Sequence, residues 1–256
     1  MKKLITTSLI LLVVFSVQSV FAQEEAPKPR YIVWEVCVEP AQMDLLLNAL
    51  DAMHSFLGEK DYSYPELIQR TNDGYLWASS PIESLGDIDK MREAEQKIWK
   101  ANAEKMEALG KNFENTYQKV GALVLELQPN LSVMAEQPST QTSGTKFRVY
   151  EKFHLKNGKY KEFEAATKKY VELRKKHGYN QPFYTFYPVL APDMSVVYFV
   201  DELGSNPVDY YTKNEEQWQK FGEEGTQLWE EVKPLISGTE HHLGFIDFDH
   251  SYLPDN

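Results

Sequence analysis

The chain has 256 residues, a formal charge of −11 and a single cysteine, Cys37. The acidic balance argues against nucleic acid and anionic lipid surfaces as partners. One cysteine excludes an internal disulfide and any cysteine-rich metal site, so stability has to come from a packed core.

Met1-Lys2-Lys3 precedes an apolar run from Leu4 to Val20, and small residues, Ser19 and Ala22, stand before Gln23-Glu24-Glu25. This order predicts a signal peptide over 1–22, cut after Ala22. Localisation is then periplasmic or secreted, and no membrane anchor remains after processing. Loss of Lys2 and Lys3 takes the charge from −11 to −13. About 230 residues are left, enough for one large domain or two modules.

Residues 31–38 alternate like a strand, and Met43, Leu46, Leu47, Leu50, Met53, His54 and Leu57 recur at helical spacing up to Gly58. Two short strands, near 64–71 and 75–80, flank "TNDG", whose Asn-Asp-Gly suits a tight hairpin. One further helix carries Trp99, Asn102, Met106, Leu109 and Phe113 on a stripe, and a strand near 122–128 closes the unit. The polar segment 129–145, rich in Ser, Thr, Pro and Gln, reads as a linker.

The same order then recurs. "YIVWEVCVEP" at 31–40 matches "FRVYEKFHLK" at 147–156, which sets Glu35 opposite Glu151 and Trp34 opposite Tyr150. "GYLWASS" matches "SVVYFVD", setting Trp77 opposite Tyr198, and Trp99 answers Trp218 in the second helix of each copy. Tyr160, Phe163, Thr167, Tyr170 and Leu173 stripe one helix of the second copy, and Trp218, Phe221, Leu228 and Val232 stripe the other. "HHLGFIDFDH" answers "KVGALVLEL", so its strand is expected at 243–249 with His241 and His242 in the turn before it.

Two β-α-β-β-α-β units, 30–128 and 146–250, are two ferredoxin-like modules, and packing sheet to sheet would cover the face each leaves bare. This α+β pattern resembles the dimeric α+β barrel superfamily in tandem form, and is similar to its NIPSNAP-like and antibiotic-biosynthesis-monooxygenase-like members. The superfamily also holds haem-dependent enzymes and small isomerases. The resemblance implies a pocket between sheet and helices and leaves the reaction, and whether there is one, open.

Within that frame Glu35 and Glu151 are each the lone acid on a strand face expected under the helices, where burial would move a carboxyl toward proton-transfer use. Glu151 is the candidate catalytic residue, because five of the six histidines lie in the second copy. Glu35, Trp77, Trp99, His177, Tyr198 and Trp218 are the candidate ligand-binding residues. Tyr198 and Trp218 are expected beside Glu151.

No metal site is expected. Of the residues in "HHLGFIDFDH" only Asp247 and Asp249 could chelate together, and Lys152 and Arg148 are expected as their ionic partners. No cofactor is predicted. A haem-binding member of the fold, with His54 or His177 as ligand, is an alternative, as is a non-enzymatic protein that binds a glycan or another protein. Glycine-rich phosphate loops, HExxH and GxSxG are absent from the chain.

Overall fold

The computed structural model describes residues 27–137 and 140–254. The expected signal peptide, 1–22, lies outside them. Among the described residues, no helix is long and apolar enough to cross a membrane.

The first half runs β1 (Arg30–Cys37), α1 (Met43–Gly58), β2 (Glu66–Thr71), β3 (Tyr75–Ile82), α2 (Gly86–Ala101), α3 (Ala103–Lys111) and β4 (Lys119–Leu127). The second runs β5 (Thr145–Leu155), α4 (Tyr160–Lys176), β6 (Phe183–Leu190), β7 (Val196–Asp201), α5 (Pro207–Val232) and β8 (Ile236–Tyr252). Strands β2 and β3 turn through Asn72-Asp73-Gly74, where Gly74 has φ +94° and a Cβ would lie 2.3 Å from the Val38 carbonyl oxygen. Only glycine fits there.

All eight strands form one closed antiparallel barrel in the order β1-β3-β2-β8-β5-β7-β6-β4. The two four-stranded sheets therefore do more than stack face to face. Their edges pair, β2 with β8 and β4 with β6. Edge strands expose unpaired backbone groups, and closure removes them. Cleaving the connection between Gln137 and Gly144 is accordingly expected to leave both halves in one particle of full mass on gel filtration. Separation into two soluble monomers would show that the edges do not hold the barrel.

The helices cover the outer face. Ile68, Leu76 and Ala78 of the sheet pack with Leu46 and Leu47 of α1, and Phe147 and Val149 pack with Leu173 of α4 and Phe221 of α5. The barrel interior is lined from both halves, with Val33, Trp77, Leu123, Leu125 and Tyr150 in one cluster.

Several expectations change. The single helix expected between β3 and β4 is two, broken at Asn102, whose side-chain Nδ2 donates to the Ile98 carbonyl 2.9 Å away. An amide that bonds the helix backbone competes with helix continuation. The segment expected as a linker is packed at Leu131 and Val133, both buried among Phe163, Phe183 and Phe199. Strand β8 has 17 residues, since it pairs with β5 along its first part and with β2 along its last, so His241 and His242 are strand residues and not a turn.

The largest correction is one of register. Glu35 stands opposite Trp77 and Gly121, whereas Lys152 stands opposite Tyr198 and Glu240. With Trp77 matched to Tyr198 as the sequence suggests, the residue across from the matched ring is Lys152 and not Glu151. A one-residue slip moves a side chain to the other face of a sheet. Tyr31 and Val33 face the barrel interior and Ile32 and Val36 the helices, so Glu35 points inward and Glu151 outward.

Candidate functional site

Two cavities of about 500 Å³ each lie on opposite sides of the β5–β7 pair. One is the barrel interior. The other lies between the outer face of the second half's sheet and helices α4 and α5. Glu151 and Phe199, paired across β5 and β7, border both.

Helix α5 is broken beside the helix-side cavity. Gly222, at φ +54° and ψ −128°, interrupts the helix, and Trp218 before the break and Trp229 after it both border the cavity. Side chains rarely adopt that backbone conformation, so glycine supplies it. Phe153, Phe163, Tyr170 and Phe183 complete an aromatic wall. The wall is mainly apolar with a few polar groups, the usual make-up of a small-molecule site.

One of those polar groups, Glu151, is held from outside the wall. Glu151 Oε1 lies 3.1 Å from His241 Nδ1, and His241 Nε2 lies 3.3 Å from the Tyr211 hydroxyl. The bond to Glu151 favours the charged imidazole and raises the His241 pKa, against the opposing effect of partial burial. Its folded pKa being the higher, this interaction stabilises the fold fully below the unfolded value and is lost as pH rises through the folded one. In an NMR titration His241 should therefore have its midpoint above about 6.5, the ordinary histidine value, and fall back toward it in Glu151→Gln. An unchanged midpoint would mean the dyad does not form.

Deeper in the same wall, Asp201 is buried and receives Arg174 Nη1 at 3.0 Å. Desolvation raises the Asp201 pKa, and Arg174 opposes that rise. Tyr170 is pushed up to about 12, chiefly by burial, and its hydroxyl accepts from Gln217 Nε2 at 3.0 Å.

On the barrel side, Lys152 Nζ donates to Glu35 Oε2 at 2.7 Å, and Trp77 Nε1 donates to the same oxygen at 2.8 Å. The ammonium lies 5.1 Å from the ring centre of Tyr75, 5.8 Å from that of Trp77 and 6.0 Å from that of Tyr198. Arg148 donates to Glu202 through Nε at 2.6 Å.

The expected site residues thus divide. Glu151 and Trp218 meet at the helix-side cavity. Trp77 and Tyr198 line the barrel, Tyr198 beside Lys152 rather than Glu151, and Glu35 is bonded to Lys152. Trp99 is about half exposed on α2 and borders neither cavity. His177 ends α4 with its ring 5.4 Å from Phe221, and His54 Nε2 lies 2.8 Å from Glu66 Oε2. No histidine stands in the wall of either cavity, so these residues do not fit a histidine-ligated haem. Among the described residues, no group of three or more His, Cys, Asp or Glu is placed to hold a metal ion.

Asp247 and Asp249 also have other partners than expected. Asp247, buried, accepts from Arg70 Nε at 2.6 Å across the β2–β8 seam, and Asp249 accepts from the Gly144 amide at 2.8 Å. Arg148 and Lys152 face the barrel interior, the side of the sheet away from Arg70. Sequence reasoning missed His241, Arg174 and Gly222. The last had a signal, a glycine in the middle of the helical stripe from Trp218 to Val232.

No family model and no curated protein sequence matches the chain. Solved structures do. An anthrone oxidase-like protein superposes with a TM-score of 0.60 at 10% identity, covering 91% of this chain and 98% of its own. A candidate monooxygenase from Fusobacterium nucleatum subsp. nucleatum gives 0.52 at 12%, covering 87% and 94%. The chain has the dimeric α+β barrel fold. A candidate monooxygenase from Lactobacillus acidophilus NCFM agrees at 0.50 and 9% identity, covering 89% of this chain and all of that one. At these identities the likeness is one of fold.

Proposed function

We propose that this dimeric α+β barrel, made of two tandem ferredoxin-like modules and exported through its 1–22 segment, binds a small apolar or aromatic molecule in the helix-side cavity of its second half. There it moves a proton through Glu151 and His241. The observation that carries this reading is the Glu151–His241–Tyr211 run at the edge of a mainly aromatic cavity of about 500 Å³. Aromatic walls bind and orient such a ligand, while a carboxylate with an imidazole behind it can accept a proton and pass it outward.

The fold likeness to an anthrone oxidase-like protein and to candidate monooxygenases supports a substrate with an acidic C–H or phenolic O–H. Anthrone offers the test. In deuterated buffer its methylene protons should exchange faster with the protein than without it, as followed by NMR. No acceleration, with anthrone bound, would remove the proton-transfer part of the reading.

The alternative is a glycan- or protein-binding role without chemistry. Trp34 and Trp99 favour it, since both are nearly half exposed on the first half of the chain. Glycan or protein binding lost in Trp34→Ala and Trp99→Ala, alongside a helix-side cavity that takes up no small molecule, would decide for this reading.

A further inference from the structure

An eight-stranded barrel is just wide enough for its interior to be filled by side chains or to hold one small ligand. This one keeps about 500 Å³ open. We propose that the barrel interior is a second binding site, distinct from the helix-side cavity, for a neutral planar aromatic molecule that carries oxygen acceptors.

Neutrality follows from the charges. Lys152, Arg148 and Glu151 border the cavity, but Lys152 is bonded to Glu35, Arg148 to Glu202 and Glu151 to His241, with Arg148 Nη1 also donating to Gln69 Oε1 at 3.3 Å. An anionic ligand would have to break one of these pairs, and a cationic ligand would meet the two positive groups. Desolvated pairs of this kind are costly to break by removing one partner.

The wall sets the shape. Tyr31, Trp77, Tyr150, Tyr184, Phe186 and Tyr198, together with Phe199, supply seven rings from both halves. Flat ligands stack on such rings over their full face.

The hydroxyls favour oxygen acceptors. The Tyr150 hydroxyl donates to Gln69 Oε1 at 3.1 Å. Those of Tyr31, Tyr184 and Tyr198 have no hydrogen bond among the described residues. Burial holds all three phenols above their ordinary pKa, so they remain donors at neutral pH. A plain hydrocarbon chain would leave them unpaired, whereas ring carbonyls or hydroxyls would pair with them. Met134 and Ala135, between β4 and β5, border the cavity, and Met134 is 43% exposed, which places a mouth at this segment.

The probe is 1,8-dihydroxyanthraquinone, titrated into the full chain by calorimetry and visible absorbance. Thr226→Trp, an exposed position at the helix-side cavity, blocks that cavity first. In this background one molecule of probe should still bind. Adding Met134→Trp or Ala135→Trp should weaken that binding tenfold or more, and Tyr198→Phe, which removes only a hydroxyl, should weaken it about threefold to tenfold. Thermal unfolding confirms that each variant is folded, and Tyr198→Phe keeps the test valid should a tryptophan at the mouth not be tolerated. The proposal is overturned if no probe binds once Thr226→Trp is present. It is equally overturned if the mouth variants and Tyr198→Phe bind as the parent does, or if decanoate binds there and the anthraquinone does not.

Discussion

Replacing Glu151 by Gln is expected to slow proton exchange of bound anthrone by about 100-fold or more while changing stability little, the size of effect that follows loss of a general acid or base. The amide keeps the shape of the carboxyl and its border on the cavity. It cannot take up a proton, and it no longer raises the His241 pKa as a carboxylate does. Ligand affinity should stay within a few-fold, because the aromatic wall of Phe153, Tyr170 and Trp218 is untouched. The matched control is Glu35→Gln. Glu35 bonds Lys152 and Trp77 on the barrel side, so its loss leaves the buried Lys152 short of its nearest carboxylate. Stability should fall there while exchange persists. Equal effects at the two positions would contradict the assignment of the chemistry to the second half.

Arg174→Met is expected to destabilise the chain by about 3–5 kcal/mol, read from the urea midpoint, because it strands a buried carboxylate. Arg174 is wholly buried, gives Nη1 to Asp201 and Nη2 to the Gln181 carbonyl, and lies against the rings of Tyr170 and Phe183. Methionine keeps part of that packing and none of the charge. The Asp201 pKa, already raised by burial, loses the one cation opposing it and rises further. A carboxyl with a folded pKa above its unfolded value stabilises below the unfolded value and loses that contribution as pH rises through the folded one. The deficit should therefore be largest at neutral pH and shrink toward acid. The double variant Arg174→Met with Asp201→Leu should recover most of the loss, as apolar replacements of a buried pair often do. Lys169→Met, which breaks an exposed pair with Glu231, should cost about 0–1 kcal/mol. A loss below 1 kcal/mol in Arg174→Met itself would mean that Asp201 finds water or another donor.

The order of elements was legible because helical and strand periods alternate cleanly along the chain. The register was not. Strand β1 is apolar on both faces, Ile32 and Val36 toward helices and Tyr31 and Val33 toward the barrel, since a closed barrel under helices covers both sides of its strands. Alternation then has no direction. Matching Glu35 to Glu151 looked natural and was one residue out, and that slip sent Glu35 and Tyr198 to the wrong cavity. The side of Glu151 was readable because β5 bears Arg148, Lys152 and His154 on one face only, which marks the other as the helix side. His241 was placed in a turn for a different reason. How far β8 extends depends on its two partners, β5 and β2, and pairing between distant segments leaves little local trace.

The most direct measurement is a crystal structure of the full chain with anthrone bound. Ligand density is expected between α4, α5 and the outer face of β5 and β7, against Trp218, with a reacting carbon or oxygen close enough to Glu151 to exchange a proton. Density confined to the barrel interior or to the exposed surface near Trp34 and Trp99, with the helix-side cavity holding only water, would contradict that expectation.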